Sequence, residues 1–233
     1  MIYRMTRVRL AAALVASLFA ACALAAPFAV QIGEARVGLD TPPGFADAMF
    51  TGSPRLQELA EALTSPSNRI LLFALSDGDL RKFTQGDPPE FRRYMIAVTP
   101  MELERERIGT QRFAELAKAA QRDLGERVPA GRNFTEYFDK EPLGKSSVVG
   151  ELRHDAEVLS LLLGARVPPN TRMLPPGAQK QQHYALSTSS LVLVRGKTLS
   201  LTVYSAYDSQ ADLDWIRAIT ARWIDDLQRL NAR

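Results

Sequence analysis

The stretch HYALSTSSLVLVRGKTLSLTVYS, residues 183–205, constrains the fold more than any other. Two runs that mix apolar and hydroxyl side chains flank Arg195-Gly196-Lys197. Glycine supplies the positive φ that a tight turn needs, so the runs predict a long antiparallel hairpin. In the second run Leu199, Leu201 and Val203 point one way and Ser200, Thr202 and Tyr204 the other, which makes one face core and the other at least partly polar. A helix follows at once. From about Gln210 to Leu230 the residues Leu213, Ile216, Thr220, Trp223, Leu227 and Leu230 form one stripe at helical spacing. Ser209 and Asp212 have the spacing of a capping box, and Asp212 and Asp214 fall in the first turn, where the helix dipole favours acids.

The other elements are read from the same signals. FAVQIGEARVGLDTPPGF alternates loosely and stops at Pro42-Pro43-Gly44, as one or two strands closed by a turn. SPRLQELAEALT has Ser53 at the N-cap position, Pro54 at the first helical position and a Leu/Ala stripe; Ser65-Pro66-Ser67-Asn68 ends this short helix. RILLFALS and FRRYMIAVT read as central strands joined by the polar, turn-rich DGDLRKFTQGDPPE. A second helix runs from Thr110 to Gly125, with Phe113, Leu116, Ala117, Ala120 and Leu124 on one face. Between Arg127 and Lys145 the chain is loop-rich, tied to the body by Phe134, Tyr137 and Phe138. Ala156 to Leu163 fits either a helix capped by Asp155 or a strand in a hairpin; the strand-like VVGELR before it favours strands. Pro168-Pro169 and Pro175-Pro176-Gly177 bracket an exposed loop. Strands that arrive mostly in hairpins predict an α+β fold: an antiparallel sheet covered by helices, in one domain over residues 26–233.

This layout resembles the PsbP-like and DcrB-like exported α/β/α sandwiches. The resemblance rests on an early strand entering a proline-glycine turn (VGLDTPPGF), a helix in mid-chain, and a closing hairpin followed by a long C-terminal helix (LVLVRGKTLSLTVYSAYDSQADLDWIRAITARWIDDLQ). The region from Arg127 to Gln182 is longer and richer in proline than the compact fold needs. The resemblance implies a non-catalytic accessory or binding role in an exported compartment and carries over no functional residue.

Residues 1–25 agree with that compartment. Arg4, Arg7 and Arg9 precede the apolar run LAAALVASLFAACALA, and Ala23-Leu24-Ala25 has the small-residue pattern of a signal-peptidase site after Ala25. The run is shorter than the roughly 20 residues a membrane span requires, and no second apolar stretch of that length follows. Cleavage would remove three of the 29 basic side chains and none of the 26 acids, leaving 26 of each. A balanced mature chain has no electrostatic footprint for nucleic acid. The single cysteine, Cys22, also lies in the leader, so the mature chain offers no thiol or disulfide unless Cys22 is lipidated. LFAAC permits that lipoprotein alternative, but Phe19 stands where an aliphatic residue is usual, which favours cleavage after Ala25.

Residues arranged for chemistry are few. His154 and His183 would converge on a metal only if their strands paired suitably, and no H-E-x-x-H spacing is present. LSTSSL supplies hydroxyls at Ser187, Thr188, Ser189 and Ser190 without a nucleophile elbow, and marks a strand exposed on one face or a bulge. RGKT, residues 195–198, lacks the glycine and the strand-to-helix context of a phosphate loop. Paired carboxylates drawn from distant positions would give a hydrolase, the alternative reading. The acids in view have local explanations: Glu58 and Glu61 face solvent, and Glu102, Glu104 and Glu106 alternate with arginines in a charged connector. No catalytic residue, metal ligand or cofactor is nominated. Arg92, Arg93 and Tyr94 are the candidate binding residues, since arginine beside tyrosine is a common interface composition. The expectation is an exported, non-catalytic binding or accessory protein with a protein partner in the cell envelope.

Overall fold

The computed structural model describes residues 27–167 and 183–232, residue 183 by its backbone alone. Residues 1–26, with Cys22 and the expected leader, and the proline-bracketed stretch 168–182 therefore lie outside the described residues. Nine strands and five α-helices occur among those described: β1 Phe28–Ile32, β2 Ala35–Leu39, β3 Phe45–Asp47, α1 Pro54–Ala62, β4 Asn68–Ser76, α2 Asp77–Gln85, β5 Arg93–Pro100, α3 Thr110–Asp123, α4 Phe134–Phe138, β6 Ser146–His154, β7 Val158–Val167, β8 His183–Val194, β9 Lys197–Tyr207 and α5 Gln210–Asn231. Strands β3 to β9 form one sheet in the order β3-β4-β5-β9-β8-β7-β6, and its adjacent strands run antiparallel; β1 and β2 form a separate hairpin. The α+β class and the central positions of β4 and β5 hold, and the strand reading of Ala156 to Leu163 holds from Val158 onward, with Ala156 and Glu157 in the bend that precedes β7.

The predicted hairpin is β8–β9, with a tighter turn than expected. Arg195 (φ 51°) and Gly196 (φ 76°) alone form it, and Val194 pairs with Lys197. Positive φ at both central residues is the two-residue turn whose twist matches that of the strands. Lys197 consequently opens β9 and is 4% exposed, its Nζ donating to the carbonyls of Glu104 (2.7 Å) and Glu106 (2.6 Å).

Alternation gives the sheet two buried faces. One face holds Met95, Ala97, Leu199, Leu201 and Val203, and packs against α5 and the β1–β2 hairpin. Helix α5 contributes Leu213, Ile216, Trp223, Ile224 and Leu227. Burying such side chains is worth about 1.5–3 kcal/mol each, and that packing supplies most of the helix's stability. Asn231 bonds both the N–H and the carbonyl of Gly38 at 2.8 Å, and Trp223 Nε1 donates to the Asp40 carbonyl at 3.0 Å, so the helix end and the small hairpin fix each other. Asn231, not Leu230, is the buried residue at that end.

The opposite face carries two separate apolar clusters. Phe73, Leu75, Tyr94, Ile96 and Val98 lie with Leu56 and Ala60 of α1. Val148, Leu159, Leu161, Leu163 and Leu193 lie with Phe113 and Ala117 of α3. Helices on both faces make three layers.

Two helices escaped the sequence reading. DGDLRKFTQ is α2, not a turn-rich link: Ser76 Oγ accepts from Asp79 N–H (3.1 Å), and Gly86 (φ 87°) closes the C-terminus. The stretch from Arg127 to Lys145 contains α4, capped by Asn133 Oδ1 on the N–H of Thr135 (3.0 Å) and Glu136 (3.3 Å). Its Phe138 is fully buried, and as expected the aromatics anchor this stretch.

Candidate functional site

The cluster Arg92-Arg93-Tyr94 is held by partners within the chain. Arg92 forms an ion pair with Asp208. Arg93 bonds Asp212 Oδ1 at 2.9 Å, and its guanidinium lies 4.0 Å from the Trp215 ring centroid. Both arginines therefore fasten the start of β5 to the start of α5. Asp212 also accepts from the backbone N–H of Asp208 (3.0 Å) and Ser209 (3.1 Å), the acidic half of the anticipated capping box. Burial alone would raise its pKa; the N–H donors and Arg93 outweigh burial and hold the carboxyl below its ordinary range. Tyr94 is buried and stacks on Tyr204, with ring centroids 4.7 Å apart and planes 16° from parallel.

Tyr204 leads to the site that sequence reading missed. Together with Leu56 and Leu59 of α1, Leu63 that caps it, Phe83 of α2, and Phe91, it lines a groove of about 630 Å³. That volume lies within the ordinary range for small-molecule sites, which are mostly apolar with few polar groups. The leucine wall follows from positions 56, 59 and 63 on one stripe of a helix, which spans about 10 Å at 1.5 Å per residue. The opposite wall exists because α2 is helical, which turns Phe83 inward. Arg55 lies at the rim, 5.9 Å from the Phe83 ring centroid. Phe91 has φ 49°, a region that bulky side chains rarely adopt. Such strain costs on the order of 1–3 kcal/mol and concentrates at ligand clamps. Nothing in the sequence marks it. The cap Ser76-x-x-Asp79 and Gly86 would have revealed α2.

Two other concavities carry mixed charge. One of about 950 Å³ is lined by Arg81, Arg222, Arg229, Asp40, Asp77 and Asp226, and within it Asp226 pairs with Arg222 (3.7 Å) and Arg229 (2.7 Å). The other, about 740 Å³, sets Arg105, Arg107 and Arg195 against Glu34 and Glu157 at the C-terminal end of α5. Cations there complement the helix dipole.

The remaining candidates separate. His154 pairs with Leu159 on β7, which pairs with Leu191 on β8, whereas His183 begins β8 and pairs with Val167. The eight residues between the levels of His183 and Leu191 amount to roughly 26 Å of strand, so the two histidine backbones lie at opposite ends of the sheet. Among the described residues no group of three or more His, Cys, Asp or Glu is placed to hold a metal. The buried Asp79 accepts from the backbone N–H of Glu90 at 2.7 Å and from Ser76 Oγ at 3.0 Å, so it ties α2 to the segment before β5. The hydroxyls of LSTSSL split between the faces: Thr188 and Ser190 are buried under α5, while Ser187 and Ser189 are half-buried on the other side. There is no bulge, since Ser187–Tyr204 and Ser190–Leu201 are in one register.

No family model matches the chain, and no curated protein matches it. Among solved structures it is similar to a mutant of protein Mog1, at 12% identity and a TM-score of 0.39 over 89% of this chain and 94% of that one. It is also similar to the Saccharomyces cerevisiae Ran-binding protein Mog1p, at 11% identity and a TM-score of 0.38 over 89% of this chain and 93% of that one.

Proposed function

We propose that the chain is exported to the cell envelope and acts there by binding, without catalysis. The observation that carries this reading is the groove between α1 and α2, whose lining is apolar and aromatic with one phenol, Tyr204, and a single cation and acid, Arg55 and Glu58. General acid–base chemistry needs a positioned side chain whose pKa lies near the working pH. The buried carboxylate of Asp212 instead accepts from the backbone N–H groups of Asp208 and Ser209 at the start of α5, and that of Asp79 from Ser76 Oγ and the Glu90 N–H. Export is supported by the leader pattern of residues 1–25. The three-layer arrangement agrees with what the PsbP-like and DcrB-like resemblance implies, and that kinship is part of the proposal.

The test is to express the full chain in a bacterium, purify it from the envelope fraction and record native mass spectra. The expected species begins at Ala26 and retains a non-covalent apolar ligand that Leu59→Asp abolishes. A chain that keeps its leader, or an apolar ligand retained equally by Leu59→Asp, overturns the reading, as does turnover in a hydrolase screen.

A further inference from the structure

The sheet face that carries the groove also carries a row of hydroxyls between its two apolar clusters. The pairs Leu193–Thr198, Leu191–Ser200 and Ser187–Tyr204 place Thr198, Ser200 and Thr202 of β9 beside Ser189 and Ser187 of β8 on this one face. Thr198 is 2% exposed and its hydroxyl has no hydrogen-bond partner among the described residues. The other four are half-buried, and their hydroxyls also lack a partner there.

Hydroxyls on the reverse face of the same strands are satisfied. Ser160 and Ser190 bond each other at 2.7 Å, Thr188 accepts from Val203 N–H at 3.1 Å, and Thr220 donates to the Ile216 carbonyl at 2.7 Å. On β8 and β9, where Ser205 Oγ also donates to the Ala206 carbonyl at 2.9 Å, the unpaired hydroxyls are thus confined to the face that bears the groove; on β6 the buried Ser147 Oγ of the reverse face also has no partner among the described residues. The row meets the groove at Tyr204, the cross-strand partner of Ser187. From Thr198 to Tyr204 it extends roughly 20 Å along β9, and no charged side chain occupies these positions.

Hydroxyls both donate and accept, whereas a carboxylate only accepts and an ammonium only donates. A charge placed on the row would lose water without gaining a counter-charge. We infer that groove and row form one elongated site for a neutral amphiphile, with an aliphatic chain against α1 and an uncharged, hydroxyl-rich head group of the glycoside kind on β8 and β9. This inference rests on the groove reading above.

Calorimetric titration of the mature chain with submicellar n-octyl β-D-glucoside, 1-octanol, octanoate and octyltrimethylammonium separates the two. The glucoside should bind about tenfold tighter than each of the other three, as two added hydrogen bonds provide. Thr202→Val with Ser200→Ala should reduce glucoside affinity to that of 1-octanol and leave 1-octanol unchanged. Equal affinities across the wild-type series would overturn the inference while leaving the groove reading intact, and would mean that the hydroxyls are merely hydrated. Failure of every octyl compound to bind would remove both. The wild-type series decides the matter even if the double variant does not fold.

Discussion

Tyr94 shows how a residue is read differently once its neighbours are known. Beside two arginines it has the composition of an interface, yet it is buried behind Tyr204, at the back of the groove. Burial, with Tyr204 beside it, raises the Tyr94 phenol well above its ordinary pKa, and burial raises Tyr204 against the opposing effect of Arg92. Tyr204 therefore stays a hydrogen-bond donor at neutral pH. An unfolded tyrosine ionises near about pH 10. Because the folded values are higher, the stabilisation from keeping the phenols neutral is complete below about pH 10 and is lost as pH rises through the folded values. Tyr94→Phe removes one of these groups, so its urea midpoint should fall less steeply above pH 10 than that of the wild type. Parallel alkaline slopes would contradict this. Lys197 carries a related lesson: in a sequence it is a turn cation, but a two-residue turn moves it onto the buried face, where it holds two carbonyls of the charged connector.

At the level of elements, the long periodic ones were legible and the short capped ones were not. Helix α5 and the β8–β9 hairpin announce themselves through many repeats of one period. Helices α2 and α4 have nine and five residues, and α2 shows only Leu80 and Phe83 as large apolar side chains, too few to establish a period. Their signals are caps, and Asp77-Gly78 reads as readily as a turn. The groove was hidden for the same reason, since α2 supplies one wall. Gly164 records how closely α4 docks on β7: a Cβ there would lie 2.7 Å from ring atoms of both Phe134 and Phe138. Gly164→Ala must push two packed rings apart, and overpacking of that kind costs about 1–3 kcal/mol. Chemical denaturation should show a loss in that range; an unchanged midpoint would mean that α4 shifts freely.

For the whole molecule, the fold class followed from hairpin turns and helix periodicity, because each reports a local choice repeated along the chain. The site did not, because it depends on which element lies over which part of the sheet. One sheet face is sealed by α5 and the β1–β2 hairpin, while the other is covered in two patches with polar strand positions between them. The sequence shows the alternation that makes Ser200 and Thr202 polar but not the gap they occupy. The groove and this gap together define one elongated site. The most direct measurement is a methyl-resolved ¹H–¹³C titration of the mature chain with submicellar n-octyl β-D-glucoside. Saturable shifts are predicted for Leu59 of α1, Leu63 just past its end, and Thr198 and Thr202 of β9, with Leu227 of α5 unmoved. Saturable shifts at Ala35 and Val194, in the arginine-lined concavity, with Leu59 and Leu63 unmoved, would contradict it.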